Sequence, residues 1–306
     1  MKKFVNGKMI NLAEPRLGSK VIYKTDDFFA SAKRIIKPDP PIFKEGLFDS
    51  HGKWMDGWET RRKRVKGHDY VLIKLGKPGK IKTVNIDTSY FNGNQPEYAQ
   101  VEGCYSHNTS VSKTKWIKLT KKNKIKPNSN NFFNSLSSKT FSHIRLNIYP
   151  DGGVARLRLF GNIDLSLQKI KKKTTIDLTS ILNGSQIRAC SDEHFGNVNN
   201  ILLPGKSINM GNGWETRRRR GKGFDWAIIK LGHISFIESF EVCTHHFKGN
   251  YPESFSIQAF KNIKNRSTVS LIKESKNWTT LVKKTKLKAN STIKIRNKQK
   301  LNSKFN

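Results

Sequence analysis

The sequence predicts an all-β protein built from two tandem β-sandwich domains with jelly-roll connections, and two observations carry the prediction. The first is an internal duplication. Trp58-Glu59-Thr60-Arg61-Arg62 recurs as Trp214-Glu215-Thr216-Arg217-Arg218, and residues 67–76 and 91–97 match 223–232 and 247–253 at the same spacing of 156. Solenoid repeats reach about 50 residues, so a period of this length is that of a whole domain. The second is the series of short β-branched and aromatic runs bounded by Gly, Pro and Asn, with few segments of helical period. That pattern favours an antiparallel sandwich over a parallel α/β sheet.

In the first copy, strands are expected at 70–75, 83–91, 100–105, 143–149 and 154–160. Charged and apolar residues alternate through the last two, across the tight turn Pro150-Asp151-Gly152-Gly153, which reads as a hairpin with one buried face. The second copy offers 226–231, 239–245 and 254–260 in the equivalent places. Upstream, Asp26-Asp27-Phe28-Phe29 pairs with Asp192-Glu193-His194-Phe195 at a wider spacing of 166. The Lys-rich stretch 168–174 sets the boundary: residues 1–162 form the first domain, 163–175 the linker and 176–306 the second domain. With Trp116 set against Trp278, the counterpart of 143–160 would begin near residue 305. The second domain is therefore expected to lack its closing hairpin and to leave a sheet edge unpaired.

Composition narrows the function class. Hydrophobic content of 35% is low, but 10% aromatic residues and dense Val/Ile/Leu runs place the chain among folded proteins. Cys104, Cys190 and Cys243 match no metal-binding or redox spacing, as expected of a reduced cytoplasmic protein. The N-terminal residues lack the apolar core of a signal peptide, and no stretch approaches the ~18 apolar residues of a membrane span. A soluble protein without a membrane partner is expected. The net charge of +35 is spread over both copies, mostly as Lys. It reads as a solvated surface and not as a specific nucleic-acid footprint, although non-specific polyanion binding at low salt follows from it.

Longer motifs carry a family resemblance. They are Gly52-Lys53-Trp54-Met55-Asp56-Gly57-Trp58-Glu59-Thr60-Arg61-Arg62, Asp87-Thr88-Ser89-Tyr90-Phe91-Asn92-Gly93-Asn94 and the segment from Arg145-Leu146-Asn147-Ile148-Tyr149 to Arg156. The second copy adds Met210-Gly211-Asn212-Gly213-Trp214-Glu215-Thr216-Arg217 and the segment from Thr244 to Glu253. On these motifs, from about residue 19 to about 260, the chain resembles the allantoicases. The resemblance implies two galactose-binding-like jelly rolls and hydrolysis of allantoate to ureidoglycolate and urea in allantoin degradation, a step of purine and nitrogen metabolism. It also implies a homo-oligomer. The sequence shows no required cofactor and leaves a metal open. Where this chain has Asn212 and Cys243-Thr244, the family pattern has Asp and Asp-Thr. The alternative class is a catalytically impaired or non-enzymatic ligand-binding β-sandwich, which a urea-release assay separates from an enzyme.

Loss of urea from allantoate needs recognition of a carboxylate, a proton for the leaving nitrogen and a directed water. Arginine suits the first through its planar pair of donors, and Arg61, Arg62, Arg217 and Arg218 are the candidates. On a strand, Glu59 and Arg61 would share one face, as would Glu215 and Arg217. The same residues also fit a Glu–Arg pair beside a core Trp that the fold needs twice. Residues that differ between copies are candidates by the opposite logic: His51, Asp56 and His68 in the first, Glu193, His194, His245 and His246 in the second. Adjacent His245 and His246 on a strand would face opposite ways. Glu97 and Glu253 lie in Gly-Asn-x-Pro-Glu turns, where they could orient water or cap the turn. The site residues this reading selects are Glu59, Arg61, Arg62, Glu215, Arg217, His245 and Glu253.

Overall fold

The computed structural model describes residues 4–108, 111, 114–167, 175–261, 266–297 and 305; most of the expected linker, 168–174, lies outside them. The chain divides into one compact unit of residues 9–170 and another of 1–8 with 171–306. Two short strands open it and go to different units. β1 (Val5–Asn6) belongs to the second and β2 (Ile10–Asn11) to the first. The N-terminal boundary thus differs from the expected 1–162.

The first unit continues with β3 (Lys20–Lys24), β4 (Trp58–Glu59), β5 (Asp69–Asp87), β6 (Tyr98–Cys104), β7 (Asn130–Asn134), β8 (Thr140–Tyr149), β9 (Gly153–Val154) and β10 (Arg156–Ile163). β5 is its spine. The strands expected at 70–75 and 83–91 join in this one element, which ends at Asp87 and leaves 88–91 outside it; Lys82 is an extra residue in its ladder, with Phe160 facing Thr83 and Gly161 facing Ile81. Such a bulge reverses which residues point inward. Val71 and Ile73 are buried before it, Val84 and Ile86 after it. The first half of β5 lies between β3 and β8, with β6 beyond β8; the second half lies between β7 and β10, with β2 beyond β10.

This pairing corrects the expected hairpin of 143–149 and 154–160. β8 and β10 do not pair with each other; each pairs with a different half of β5, and the turn between them passes from one to the other. The alternation is still used as read. Ile144, Leu146 and Ile148 from β8 and Leu157 and Leu159 from β10 are fully buried in one core, each stabilising the fold by roughly 1.5–3 kcal/mol. Gly152, at φ 128°, and Gly153 suit the turn, since a Cβ on Gly153 would meet the Phe91 ring at 2.0 Å. β9 pairs with β4, setting Val154 opposite the fully buried Trp58.

β10 also brings in Arg156, which is 1% exposed. Its guanidinium donates to Asp56 Oδ2 (2.6 Å), to the Asp56 carbonyl (2.7 Å) and to the Asp39 carbonyl (3.0 Å), and its register partner is Asp87. Burial opposes ionisation of Asp56, but the hydrogen bonds from Arg156 and Lys37 outweigh it and hold the carboxyl below its ordinary value.

The second unit contains β11 (Gln186–Cys190), β12 (Ala227–Lys230), β13 (Ser239–Cys243), β14 (Ser254–Ala259), helix α1 (Thr268–Glu274), β15 (Thr279–Lys286) and β16 (Thr292–Arg296). β11 pairs with β1 and β12, β13 with β16 and β14 with β15. The β13–β16 register reproduces that of β5 with β7: Cys243 faces Thr292 as Asp87 faces Asn130. Phe305 bridges Ser235 as Phe141 faces Gly79. Beyond it, the described residues contain no counterpart of the rest of β8 or of β10. Consequently Phe240, Val242, Phe255 and Ile257 are only half-buried, whereas their equivalents Val84, Ile86, Ala99 and Val101 are fully buried.

The two family departures fit this difference. Asp56 and Asp87 flank Arg156 in the first unit, and their counterparts are Asn212 and Cys243, with no arginine described between them. No helix of the described residues is long and apolar enough to cross a membrane.

Two outcomes follow from this packing. Arg156→Met removes the buried partner of the Asp56 carboxylate, leaving it to Lys37 at the surface, and should destabilise the first unit by about 3 kcal/mol, read by chemical denaturation; a loss below 1 kcal/mol would show the pair to be dispensable. Deleting residues 1–8 removes β1 from β11, so amide exchange at Ala189 and Cys190 should accelerate while the β5 amides keep their protection.

Candidate functional site

Each unit holds the duplicated motif in the same frame. Trp58 Nε1 donates to the Asp26 carbonyl (2.7 Å), and Trp214 Nε1 donates to that of Asp192 (2.8 Å). The Asp26 carboxylate accepts from the Arg61 backbone N–H (2.7 Å) and from its guanidinium (2.8 and 3.1 Å). Asp192 accepts from the Arg217 N–H (2.8 Å), and the Arg217 side chain also reaches His194 Nδ1 (3.1 Å). Burial works against ionisation of Asp26, yet the Arg61 bonds prevail and lower its pKa.

This geometry revises the expected strand. Only Trp58–Glu59 is extended and paired, and Arg61 turns back to Asp26, so Glu59 and Arg61 do not alternate along one strand face. Glu59 meets Asn94 instead: Asn94 Nδ2 donates to its Oε1 at 2.8 Å, and Asn250 donates to Glu215 Oε1 at 2.6 Å in the second unit. The Gly-Asn loop and the Trp-Glu motif are therefore joined twice by the same amide–carboxylate bond. Arg62 and Arg218 are exposed and make no ion pair among the described residues.

The other selected residues are not gathered there. β13 ends at Cys243, so His245 and His246 lie in a turn and not on a strand. His245 Nε2 contacts Thr292 Oγ1 at 3.3 Å; His246, at φ 69°, donates from Nε2 to the Ser207 carbonyl at 2.9 Å. His246 joins Asn209, Met210, Lys248 and Asn250 around an open cleft of about 590 Å³ beside Glu215. The Glu253 side chain is exposed, while its carbonyl accepts from Leu287 N. Glu193 is held by Lys8, and Asp56 by Arg156. Among the described residues no group of three or more His, Cys, Asp or Glu is placed to hold a metal.

A second concentration of polar groups lies in the first unit, on the β8 face opposite Ile144, Leu146 and Ile148. Arg145 donates to Glu102 Oε2 through Nε (2.9 Å) and Nη2 (2.6 Å), and Asn147 Nδ2 donates to the same oxygen (2.9 Å). Asn147 Oδ1 lies 3.1 Å from His68 Nε2. The His68 ring stacks on Tyr149 (centroids 4.5 Å apart) and leans on Tyr70 (6.1 Å), and the Lys122 ammonium lies 4.1 Å from the Tyr149 ring centre. Asn147 is 2% exposed. Of this group His68 stands among the sequence candidates but not among the selected site residues; the alternation of Arg145, Asn147 and Tyr149 with buried aliphatics is the signal that points to the rest.

Burial raises the Glu59 carboxyl above its ordinary value of 4.5, against the opposing bond from Asn94. A carboxyl with a raised folded-state pKa stabilises the fold below the unfolded value, and this contribution is lost as pH rises through the folded value. Glu59→Gln keeps the acceptor for Asn94 and removes the titration. Its Tm should therefore match that of the wild type near pH 4 and exceed it at pH 7, and parallel Tm–pH curves would contradict the shift.

The family model described as allantoicase repeat matches residues 10–164 and again 176–305. A probable allantoicase of Acinetobacter baylyi is 48% identical over 270 residues, covering 88% of this chain and 80% of the relative. One from Pseudomonas fluorescens is 50% identical over 252 residues, covering 82% and 76%. Among solved structures, the allantoicase of Saccharomyces cerevisiae aligns with a TM-score of 0.79 at 33% identity, over 98% of this chain and 88% of that one. A further allantoicase structure gives the same score and identity over 96% and 86%. With both repeats matched and the tandem fold shared, the chain belongs to the allantoicase family.

Proposed function

We propose that this chain hydrolyses allantoate to ureidoglycolate and urea, and that the reaction is carried at the end of the first unit where the segment from Trp58 to His68 passes the turn Pro150 to Gly153. The family membership over both repeats supports the activity. The Glu59 environment supports the place. Burial raises the Glu59 carboxyl above its ordinary value, a shift in the direction a proton donor to the leaving ureido nitrogen needs, and the Asn94 amide holds it in one orientation. Arg62 is the better carboxylate clamp, since Arg61 is already bound to Asp26 through two guanidinium hydrogens. In the second unit Glu215 and Asn250 repeat the arrangement beside the cleft lined by His246 and Lys248. Arg217, tied to Asp192 and His194, is assigned to the frame, and His245 and Glu253 are left out of the chemistry. A cytoplasmic homo-oligomer is part of the same reading, with no cofactor drawn into any step.

Urea release from allantoate by the purified chain tests the activity, with the oligomeric size taken from the same preparation. Glu59→Gln should lower kcat by about 10²-fold with little change in KM, and Arg62→Ala should raise KM by about tenfold. A Glu59→Gln variant that turned over at the wild-type rate would remove the carboxyl from the chemistry. An inactive but folded wild-type chain that bound allantoate would instead favour a ligand-binding sandwich.

A further inference from the structure

We infer that His68 is the general base of this reaction, and that Asn147, Glu102 and Arg145 are positioning residues that fix its tautomer; the inference rests on the activity proposed above. The chain of hydrogen bonds allows only one assignment. Glu102 Oε2, a carboxylate oxygen already accepting from Arg145, can only accept, so the Asn147 atom 2.9 Å away is its NH₂. Asn147 therefore presents its carbonyl oxygen to His68 Nε2 at 3.1 Å, and Nε2 must carry the hydrogen. In the neutral ring the lone pair is then on Nδ1, for which no hydrogen bond is found among the described residues. A base oriented by a second group, itself held by a third, is the arrangement that proton-abstracting histidines need.

The surroundings fit a small anion with planar ureido groups. Tyr149 and Tyr70 flank the imidazole, the exposed Lys122 ammonium sits over Tyr149, and the Arg145 guanidinium lies 4.6 Å from the Trp116 ring. The charged and titratable groups around His68 are thus Tyr70 on β5, Glu102 on β6, Arg145 and Tyr149 on β8, and Lys122. Asn147 is buried on the face of the sheet away from the core, where its amide is held by hydrogen bonds on both sides.

The duplication separates this group from the frame. The counterparts of His68 and Glu102 are Phe224 and Gln258, and the second unit's described residues hold no counterpart of Arg145 or Asn147. The fold is built twice, and the oriented histidine once.

The step balances without a further reactant. His68 Nδ1 takes a proton from water as the water oxygen bonds to the central carbon of allantoate; the bond from that carbon to one ureido nitrogen breaks, and its electron pair takes the Glu59 proton to give urea. Exchange with solvent returns the proton from His68 to Glu59.

The test is urea release by the full chain from pH 5 to 9. His68→Phe, the residue of the second copy, should lower kcat by about 10²–10⁴-fold and abolish the acid limb of the kcat/KM profile. Added imidazole should restore part of the rate to His68→Ala. Asn147→Asp keeps an acceptor for Nε2 but adds negative charge beside His68, and should move the acid limb upward in pH, which a merely structural role would not do. Full turnover by His68→Phe, or an unmoved acid limb in Asn147→Asp at wild-type Tm, would overturn the assignment while leaving the activity in place. A wild-type chain that releases no urea would remove both.

Discussion

Burial of the Arg156 guanidinium is the constraint on which the first unit depends. Inside a sandwich an unpaired guanidinium is prohibitively costly, so the chain around it must supply acceptors in fixed places. It does so from two loop segments, through the carbonyls of Asp39 and Asp56 and the Asp56 carboxylate, and β10 delivers Arg156 opposite Asp87. The loop at Asp56 leads directly into Trp58, which lies against Val154 in the strand pair β4–β9. Gly57 between them has no room for a side chain, since a Cβ would lie 2.6 Å from the Val154 carbonyl oxygen. The place of Glu59, and through Asn94 that of the Gly-Asn loop, follows from the same anchor.

The second unit shows what the frame keeps without that anchor. The bonds from Trp214 to Asp192, from Arg217 to Asp192 and from Asn250 to Glu215 all persist. The two carboxylates that would face a buried arginine are replaced by Asn212 and Cys243. Trp214 is half-buried where Trp58 is fully buried, and no strand like β9 lies over it among the described residues. The motif common to both copies thus holds the same loops in each unit.

Much of this was legible in the residues. The duplication, the strand content and the alternation in 143–149 are periodic or repeated features, and periodicity survives in one dimension. The pairing of β8 and β10 was not legible, because a tight turn between two alternating segments has the same sequence signature whether the strands pair with each other or with opposite halves of a third. Extension of the strand through Arg61 failed for a related reason: the Asp26 carboxylate, far away in sequence, captures Arg61 and bends the chain. His245 and His246 fell outside the strand because Thr244 Oγ1 bonds the Lys288 carbonyl and ends it.

The sequence by itself determined that there are two copies of one sandwich, that they belong with the allantoicases, and which side chains face the core, because each of these is written as a repeat, a motif or a period of two. Only the tertiary structure decided which of the polar residues meet. Glu59 with Asn94, Arg61 with Asp26, Arg156 with Asp56, His68 with Asn147, and Glu102 with Asn147 and Arg145 are contacts across 35 to 100 residues of chain. Such contacts depend on strand register and bulge position, and a single extra residue at Lys82 is enough to change which side chains share a face.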